Sequence, residues 1–295
     1  MGISKLKVCV LVAAYNGEKY IEEQIVSLLK QTYSKISIIV NDDMSDDNTF
    51  SLLRRFSKKD SRVKISRVKC GGACENFVYL IKENKEYDCY FLCDQDDVWD
   101  IDKIKKFINI YSRMDHEKPS LIYCDKDYVD ENLIKLSMED KTYVDSLKNI
   151  IFQNHIYGCT MMFNKALVDK LIFPNNIFMH DHWIALVAAT GGEIYHIEEK
   201  LVKYRQHEGN VTGGINQFSY IKKIKLWNEV NRMQIRTFQM CKEFCHMYEG
   251  GQVTQEYLRM LESNKLLRII RAIQYGFKLD NFLATVRVYY IMLFL

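Results

Sequence analysis

Residues 87–99, YDCYFLCDQDDVW, join an apolar run directly to a cluster of three aspartates. The run from Tyr87 to Cys93 predicts a β-strand, because a strand buried on both faces is a nearly continuous apolar segment. Asp94-Gln95-Asp96-Asp97 follow with no intervening turn, and the apolar pair Val98-Trp99 comes next. The stretch therefore predicts a buried strand whose carboxyl end carries several carboxylates.

The same alternation of strands and helices extends over the first 125 residues. Strands are predicted at Val8–Ala14, Ile36–Val40, Val63–Val68 and Tyr87–Cys93; helices are predicted at Glu18–Gln31, Ala73–Lys82, near residues 104–111, and after the second strand with Ser45 as N-cap. Repeated β-α-β units predict an α/β fold with a mainly parallel central sheet flanked by helices. Ligands bind such sheets beyond the carboxyl ends of the strands. Asp42 and Asp43 follow the second strand, so both acidic clusters are expected at one rim.

The remainder of the chain divides into a mixed segment and a helical one. Strands are predicted at Leu121–Cys124 and Gly158–Phe163, and a helix at Asp181–Ala189. From residue 215 onward the pattern is helical, with breaks near Gly250-Gly251 and Gly276. This last part holds 12 lysines and arginines against 6 aspartates and glutamates, whereas residues 1–214 hold 29 against 32. An acidic body followed by a basic extension indicates separate roles.

The composition is that of an ordinary globular enzyme, with 48% hydrophobic and 27% charged residues and a net charge of +3. No secretory signal is predicted, so the nine cysteines are expected as free thiols in a reducing cytoplasm. The i, i+4 pairs do not match the usual C-x-x-C spacing of zinc sites. We interpret them as buried side chains, with structural zinc as the alternative: Cys70/Cys74, Cys89/Cys93 and Cys241/Cys245.

The acidic stretch after the fourth strand has the chemistry of a divalent cation site. Carboxylates at i and i+2 can converge on one hard cation, which prefers oxygen ligands. Mg²⁺ needs only one or two protein carboxylates when a substrate supplies phosphates. The alternative is a solvated acidic turn. Burial of three carboxylates beside Val98 and Trp99 would be costly without a cation, which favours the metal site.

An ordered set of motifs resembles glycosyltransferase family 2, the inverting enzymes with the GT-A nucleotide-sugar fold. The resemblance covers about residues 7–210. It lies in Val10-Leu11-Val12-Ala13-Ala14-Tyr15-Asn16-Gly17, Asp42-Asp43-Met44-Ser45 and Asp94-Gln95-Asp96-Asp97-Val98-Trp99. His180-Asp181-His182-Trp183 and Tyr204-Arg205-Gln206-His207 are similar to the bacterial rhamnosyltransferase branch. The family implies a GT-A catalytic domain over 1–214, with a nucleotide-binding half over 1–125 and an acceptor half over 126–214, followed by the helical extension over 215–295.

The resemblance also implies roles for residues at the rim. Tyr15 would stack on or border the nucleobase, and Asp42 would accept a hydrogen bond from a pyrimidine N–H. Asp94 and Asp96 would bind Mg²⁺ or Mn²⁺, with Asp97 orienting the sugar or supporting the ligands. The alternatives are a tyrosine packed at the sheet edge and helix capping by Asp42 or Asp43. The residues implied in nucleotide or donor binding are Ala14, Tyr15, Asn16, Asp42, Asp94, Gln95, Asp97, Arg205 and His207.

Asp181 matches the family's general base, which takes the proton of the acceptor hydroxyl as that oxygen attacks. A bound cation would stabilise the departing diphosphate as a Lewis acid. The alternative for Asp181 is an N-cap of the helix that carries Trp183. Arg205 would pair with the diphosphate through its planar fork, and His207 would touch the leaving group or the metal region. Both lie beside a glycine-rich segment expected to close on substrate, with Gly209, Gly213 and Gly214.

Three positions depart from the family pattern. Met44 stands where glycine is usual, so the backbone there must accommodate a side chain. His182 replaces a common tryptophan, which weakens an assignment of the sugar. Ala14 replaces threonine or serine and removes one hydroxyl contact. None of the three departures touches the predicted metal ligands or base.

The resemblance predicts an enzyme of bacterial surface polysaccharide synthesis (capsule, O-antigen or cell wall) that moves L-rhamnose from dTDP-rhamnose, or a sugar from another dTDP- or UDP-sugar, to a saccharide or lipid-linked acceptor. The location expected is the cytoplasm, with peripheral contact at the inner face of the plasma membrane through the basic extension. A packed helical subdomain or a homodimer face are the alternatives for that extension, and nucleic-acid binding is not predicted. A nucleotidyltransferase and a non-catalytic nucleotide-sugar binder are the alternative functions; the first lacks its glycine-rich phosphate loop at residues 13–17.

Overall fold

The computed structural model describes residues 6–139, 145–175, 177–207, 220–248, 251–279 and 282–295. The chain forms two compact units. The first comprises Met1–Thr142, Ile156–Pro174 and Gly191–Gly214, and the second comprises Tyr143–His155, Asn175–Thr190 and Ile215–Leu295. The extension over 215–295 thus groups with two short segments of the predicted catalytic part. The division at residue 214 into functional domains stays a prediction.

The first unit is built on an eight-stranded sheet in the order β3-β2-β1-β4-β7-β6-β8-β5. Its strands are β1 Val8–Ala14, β2 Ile36–Asp42, β3 Val63–Arg67, β4 Cys89–Cys93, β5 Val98–Trp99, β6 Ser120–Val129, β7 Met161–Asn164 and β8 Glu193–Arg205. Strands β3, β2, β1 and β4 run parallel, as do β6 and β8. Strand β7 is antiparallel to β4 and β6, and β5 is antiparallel to β8. The prediction of an α/β fold with a mainly parallel sheet is confirmed.

The described helices are α1 Ile21–Leu29, α2 Thr49–Lys59, α3 Ala73–Glu83, α4 Lys103–Tyr111, α5 Leu147–Phe152, α6 Lys165–Val168, α7 His180–Ala189, α8 Tyr220–Met247, α9 Gln252–Leu261, α10 Lys265–Gln274 and α11 Phe282–Ile291. Helices α1 to α4 and α6 belong to the first unit, and the others belong to the second. Within the described ranges, none of these helices combines the length and the apolar character needed to cross a bilayer.

Apolar faces at helical spacing explain how α1 and α4 cover the sheet. Ile21, Ile25 and Leu28 of α1 lie on one face and are fully buried against the sheet core. Ile104 and Phe107 of α4 belong to the same cluster. Burial of such side chains contributes about 1.5–3 kcal/mol each to folding, so these faces fix the helices on the sheet.

The parallel pairing brings three strand ends to one rim of the sheet. Ala14, the last residue of β1, pairs with Asp42, the last residue of β2. On the other side of β1, Val12 pairs with Cys93, the last residue of β4. The loops that begin at Tyr15, Asp43 and Asp94 therefore leave the sheet at the same rim. The expectation that both acidic clusters follow strands at one edge is confirmed.

Three local predictions are corrected. Residues 193–205 form a long strand, β8, that the sequence did not predict because its charged residues interrupt the apolar alternation. Gly158–Thr160 is a short 3-10 turn, and the strand predicted there begins only at Met161. Ser45 does not cap α2, which begins at Thr49 after Asn48.

The second unit has an aromatic core of its own. Trp183 of α7 packs edge-to-face on Phe244 of α8, with ring centroids 5.6 Å apart. Phe152 of α5 lies 5.9 Å from both Phe238 of α8 and Phe277, measured between centroids. The segments 143–155 and 175–190 thus supply part of the core that the C-terminal helices need.

A buried amide pair holds the end of β2 against β3 and α3. The Asn41 side chain donates to the Val68 carbonyl and to Asn76 Oδ1, both at 3.0 Å. Its Oδ1 accepts from the Val68 N–H at 3.0 Å and from the Ser66 hydroxyl at 2.8 Å. The Asn76 amide donates back to the Asn41 carbonyl at 3.1 Å. This network fixes the strand end from which Asp42 and Asp43 project.

We expect Asn41→Leu to lower the free energy of unfolding by about 2–4 kcal/mol, because it leaves buried partners of Asn41 without hydrogen bonds. Chemical denaturation of purified protein, followed by circular dichroism, measures the change. Asn84→Leu is the matched control: its amide makes one partly buried bond to the Leu80 carbonyl, at 2.8 Å, and its loss should cost under about 1 kcal/mol. Equal losses in the two variants would contradict the role of the network.

Candidate active site

The loop after β1 is held to the acidic loop after β4 by the side chain of Gln95. Gln95 accepts from the Tyr15 N–H at 2.8 Å and donates to the Tyr15 carbonyl at 2.9 Å. A Cβ at Gly17 would collide with the Gln95 side chain, so this close approach requires glycine at position 17. The Tyr15 ring remains 52% exposed at the rim. Gln95 thus contacts the protein backbone, and Tyr15 is available to a ligand.

Asn16 joins the loop after β1 to the loop after β2. Its N–H donates to Ser45 Oγ at 2.9 Å, and its Oδ1 accepts from the Asp46 N–H at 2.9 Å. Asn16 has a φ of 48°, a left-handed conformation that asparagine tolerates. Met44 has a φ of 60° and an exposed side chain, so this unusual residue does adopt the backbone that favours glycine.

Asp42 is fully buried, and both of its carboxylate oxygens have protein donors. The Ser45 hydroxyl donates to Oδ1, while the Ser45 N–H and Arg67 Nε donate to Oδ2 at 3.2 and 3.0 Å. Bonds within the protein therefore hold the Asp42 carboxylate in place. The implied hydrogen bond from Asp42 to a pyrimidine stays a prediction. Ala14, beside it on β1, is buried too, and its carbonyl accepts from the Asp43 N–H at 2.8 Å.

Asp43 has a supporting role that the sequence did not reveal. Its carboxylate accepts from three successive backbone N–H groups, those of Cys70, Gly71 and Gly72, at 2.5 to 3.1 Å. Neither Asp42 nor Asp43 caps α2, contrary to the alternative considered from sequence. The only hint in the sequence was the glycine pair, because glycine permits successive N–H groups to face one anion.

Asp94 and Asp97 come together with a cysteine from a distant part of the sequence. One oxygen of each carboxylate and Cys159 Sγ all lie within 4.8 Å of one another. Asp97 is fully buried; its Oδ1 accepts from the Arg205 N–H at 3.1 Å, while its Oδ2 has no ordinary hydrogen-bond donor among the described residues. Burial, followed by the charges of Asp96 and Asp94, raises the pKa of Asp97 well above its usual value.

These carboxylates fit a hard divalent cation. A cation would offset both the burial and the carboxylate repulsion that raise the pKa of Asp97, and oxygen is the ligand that Mg²⁺ and Mn²⁺ prefer. Cys159 does not suit that set: burial raises the pKa of its thiol well above the usual value, so the thiol stays protonated. The residues that could hold a cation are therefore the aspartates.

Asp96 faces His207, with Asp96 Oδ2 and His207 Nε2 separated by 2.8 Å. Both side chains are mostly buried, and the His207 ring lies 5.1 Å from the Tyr20 ring between centroids. The Asp96 carboxylate thus contacts a histidine, whereas the Asp94 carboxylate lies near that of Asp97. The structure brings His207 to the acidic loop across more than a hundred residues of sequence.

Arg205 is buried and makes all of its described polar contacts with the protein. Its Nε donates to the Asp96 carbonyl at 2.7 Å, its Nη1 donates to the Glu131 carbonyl, and its Nη2 pairs with Glu23 at 2.5 Å. The guanidinium also stacks over Tyr20 at 4.5 Å. Through these contacts Arg205 fixes the backbone of the acidic loop. Its predicted pairing with a diphosphate stays a prediction.

A buried lysine lies beneath the acidic loop, and its burial was not predicted from the sequence. Lys103, the first residue of α4, donates to the Cys159 carbonyl at 2.6 Å, and its ammonium lies 3.3 Å from the Trp99 ring centroid. Burial lowers its pKa from the usual value. Its position four residues before Phe107, on the apolar face of α4, was the available sign that it points inward.

Asp181 belongs to the second unit and lies in the first turn of α7, mostly buried. Its Oδ1 accepts from the His182 N–H at 2.7 Å. The N-cap residue is Met179, so the N-cap alternative for Asp181 is wrong. Burial lowers the pKa of His180 to about 3 and that of His182 to about 4, so both neighbouring rings are neutral at physiological pH.

The predicted closing segment with Gly209, Gly213 and Gly214 lies outside the described residues.

All nine cysteines lie in the described part of the chain and are free thiols. Cys89, Cys93, Cys241 and Cys245 are buried, and Cys70 and Cys74 are partly buried. The interpretation of the i, i+4 pairs as packed side chains is therefore confirmed for the two pairs on β4 and α8.

Two relatives align with more than two thirds of this chain. The chain is 32% identical over 223 residues to the dTDP-rhamnosyl transferase RfbG of Shigella flexneri, across 68% of this chain and 73% of that protein. It is 29% identical over 225 residues to UDP-Glc:alpha-D-GlcNAc-diphosphoundecaprenol beta-1,3-glucosyltransferase WfgD of Escherichia coli, across 73% of this chain and 83% of that protein.

The fold matches a solved glycosyltransferase. The structure of Staphylococcus aureus TarS 1-349 in complex with UDP-GlcNAc superposes with a TM-score of 0.63 at 19% identity, over 97% of this chain and 79% of that one. This likeness shows the GT-A fold. The family model for glycosyl transferase family 2 matches residues 9–171, more than half of the chain. Together with the rhamnosyltransferase-like relative, this match shows that the chain belongs to glycosyl transferase family 2 and is a glycosyltransferase.

Proposed function

We propose that this enzyme is an inverting, metal-dependent glycosyltransferase that moves L-rhamnose from dTDP-rhamnose to a saccharide or lipid-linked saccharide acceptor. The product would enter a bacterial surface polysaccharide. The identity to a dTDP-rhamnosyl transferase supports the donor, and the relative that uses a diphosphoundecaprenol-linked sugar supports the lipid-linked acceptor. We place the enzyme in the cytoplasm, a proposal supported by the free thiols and by the cytoplasmic supply of nucleotide sugars.

One observation carries the proposal: the ends of β1, β2 and β4 present an exposed tyrosine beside a cluster of three carboxylates. In this arrangement Tyr15 borders the nucleobase, while Gln95, Asn16 and Asp42 hold the loops that form the wall of the donor site. Asp94 and Asp96 lie at the end of the rim where the diphosphate would bind. The donor therefore lies along the rim from Tyr15 to Asp96.

Asp94 and Asp96 are the residues that would hold Mg²⁺ or Mn²⁺, with Asp97 buried behind them. The cation would supply Lewis-acid stabilisation of the nucleoside diphosphate as the leaving group. His207, hydrogen-bonded to Asp96, orients that carboxylate and adds a donor on the diphosphate side. Arg205 keeps the backbone at Asp96 in place, so it supports donor binding through the loop rather than by direct contact.

Asp181 is the proposed general base. It would take the proton of the acceptor hydroxyl while that oxygen forms a bond to the anomeric carbon and the bond to the diphosphate breaks. Attack from the face opposite the leaving group inverts the anomeric configuration. His180 and His182, which flank Asp181 in the chain, are neutral at physiological pH because burial lowers the pKa of both rings.

The donor is tested by thermal unfolding with a panel of dTDP-rhamnose, UDP-glucose, UDP-GlcNAc and GDP-mannose, each with and without Mn²⁺. A donor at a hundred times its Kd stabilises the protein by about 2.7 kcal/mol, so the true donor raises Tm clearly. We expect dTDP-rhamnose with Mn²⁺ to give the largest rise. A larger rise with a UDP-sugar would replace the donor, and no rise with any nucleotide sugar would refute the proposed function.

We expect Asp96→Ala to lower Mn²⁺-dependent donor hydrolysis and transfer by about a hundredfold or more, because a ligand that anchors the Lewis acid is lost. Steady-state rates against Mn²⁺ concentration measure the effect. Asp46→Ala removes an exposed carboxylate from the neighbouring loop and serves as the matched control, with activity expected within about twofold. Undiminished activity of Asp96→Ala in the presence of a chelator would reject the metal role.

We expect Asp181→Asn to leave the Kd of the donor unchanged and to lower kcat by about 10²–10⁴, since the amide cannot accept the proton. The amide oxygen can still accept from the His182 N–H, so the Tm should change little. Donor binding by calorimetry and single-turnover rates separate the two effects. A parallel loss of donor binding, turnover and thermal stability would assign Asp181 a structural role instead.

A further inference from the structure

Helix α10 in the second unit turns its apolar face away from the protein. Leu266 is 69% exposed and Ile273 is 60% exposed, and Leu267 and Ile270 on the same side are exposed as well. Arg268 and Ala272, on the opposite side, are buried. An ordinary surface helix does the reverse, with its aliphatic residues inward and its charges in water.

Two arginines fix this rotation of α10. Arg268 donates to the carbonyls of Leu261, Ser263 and Met292, at 3.2, 3.1 and 2.6 Å. Arg271 donates to the Arg259 carbonyl at 2.7 Å and to the Ser263 hydroxyl at 2.6 Å. Most of these acceptors lie at the carboxyl end of α9, where carbonyls lack partners within the helix and cations are favoured. The exposed aliphatic face is therefore a consequence of specific hydrogen bonds.

The last helix shows a second apolar stripe. Phe282, Val286, Tyr290 and Phe294 recur every four residues through α11 and the turn that follows it, and all four are exposed. The Arg268–Met292 hydrogen bond joins this turn to α10. Two adjoining elements thus expose large apolar side chains, more than scattered surface residues would account for.

The charges around these stripes are mainly positive. Residues 263–295 contain one acidic residue, Asp280, against five lysines and arginines: Lys265, Arg268, Arg271, Lys278 and Arg287. Lys265 and Lys278, at the two ends of the α10 region, are exposed and have no carboxylate partner among the described residues. Aliphatic residues flanked by unpaired lysines match a surface that carries negative charge above an apolar interior.

We propose that α10 and α11 form a docking surface for an anionic lipid bilayer. The side chains of Leu266, Ile270 and Ile273 would enter the boundary between headgroups and acyl chains, and Lys265 and Lys278 would contact lipid phosphates. A second copy of the chain fits less well, because a self-complementary contact would bring these unpaired lysines together. The docking surface belongs to the second unit, and it needs neither donor nor metal.

The test is flotation of the full chain with vesicles, without donor or metal. Vesicles of phosphatidylglycerol and phosphatidylcholine at equal parts should bind the chain at least about tenfold more tightly than phosphatidylcholine alone. The triple variant Leu266→Gln, Ile270→Gln and Ile273→Gln should lose about tenfold or more of that binding, and Lys265→Gln about fivefold. Ile101→Gln, Ile172→Gln and Tyr195→Gln together change exposed apolar residues of the first unit and should bind as the wild type does.

Several results would overturn the proposal. These are no binding to anionic vesicles, equal binding to neutral ones, or undiminished binding by the triple Gln variant. Light scattering in parallel addresses the alternative partner: a wild-type dimer that the triple Gln variant dissociates, together with absent vesicle binding, would assign the surface to a second copy of the chain. Because the replaced side chains are exposed, the variants should fold, and unchanged circular dichroism and Tm confirm this. Nucleotide-sugar binding is measured separately, so failure here leaves the proposed function standing.

Discussion

Negative charge gathered at one rim of a parallel sheet is the constraint on which the structure of this protein depends. Parallel pairing of β1 with β2 and β4 brings the acidic loops to the same edge, and each carboxylate there must be compensated. Asp42 is compensated by Ser45 and Arg67, and Asp43 by three backbone N–H groups. The supports of the loop after β2 come from within 29 residues of the chain, whereas those of the loop after β4 come from β8 and the segment after it, more than 100 residues away.

That difference separates the supporting carboxylates from those that can act on a ligand. Asp42 and Asp43 are satisfied by the protein and shape the wall of the site. Asp97 is different: burial, followed by the charges of Asp96 and Asp94, raises its pKa, and its Oδ2 has no ordinary hydrogen-bond donor among the described residues. A cation would release the most free energy at carboxylates that the protein compensates least. This is why we propose the Asp94–Asp97 stretch, and not Asp42 and Asp43, as the reactive end of the rim.

In the second unit, positive side chains are compensated by backbone carbonyl oxygens. Its arginines on α10 bind carbonyl oxygens at the end of α9, and this satisfies groups that a helix cannot pair internally. The consequence is an exposed aliphatic face on a unit that otherwise packs around an aromatic core of its own. If the acceptor is lipid-linked, as proposed, a membrane-facing surface on this unit would place the enzyme where its acceptor lies.

The sequence by itself determined the strand and helix order of the first unit, the acidic rim and the family, because these depend on local periodicity and on motifs contiguous in the chain. Val8–Ala14 and the start of α3 at Ala73 lie where the apolar pattern predicts them. Strand β8 was not predictable in this way, since its pairing with β6 includes an irregular register and its exposed positions are charged. Only the tertiary structure decided which side chains support the acidic loop and which remain available to a ligand. It brings Arg205 and His207 to Asp96 and places Lys103 and Cys159 beneath Asp97. It also turns the arginines of α10 inward. Each of these depends on contacts between residues far apart in the chain, and residue type and spacing carry no record of them.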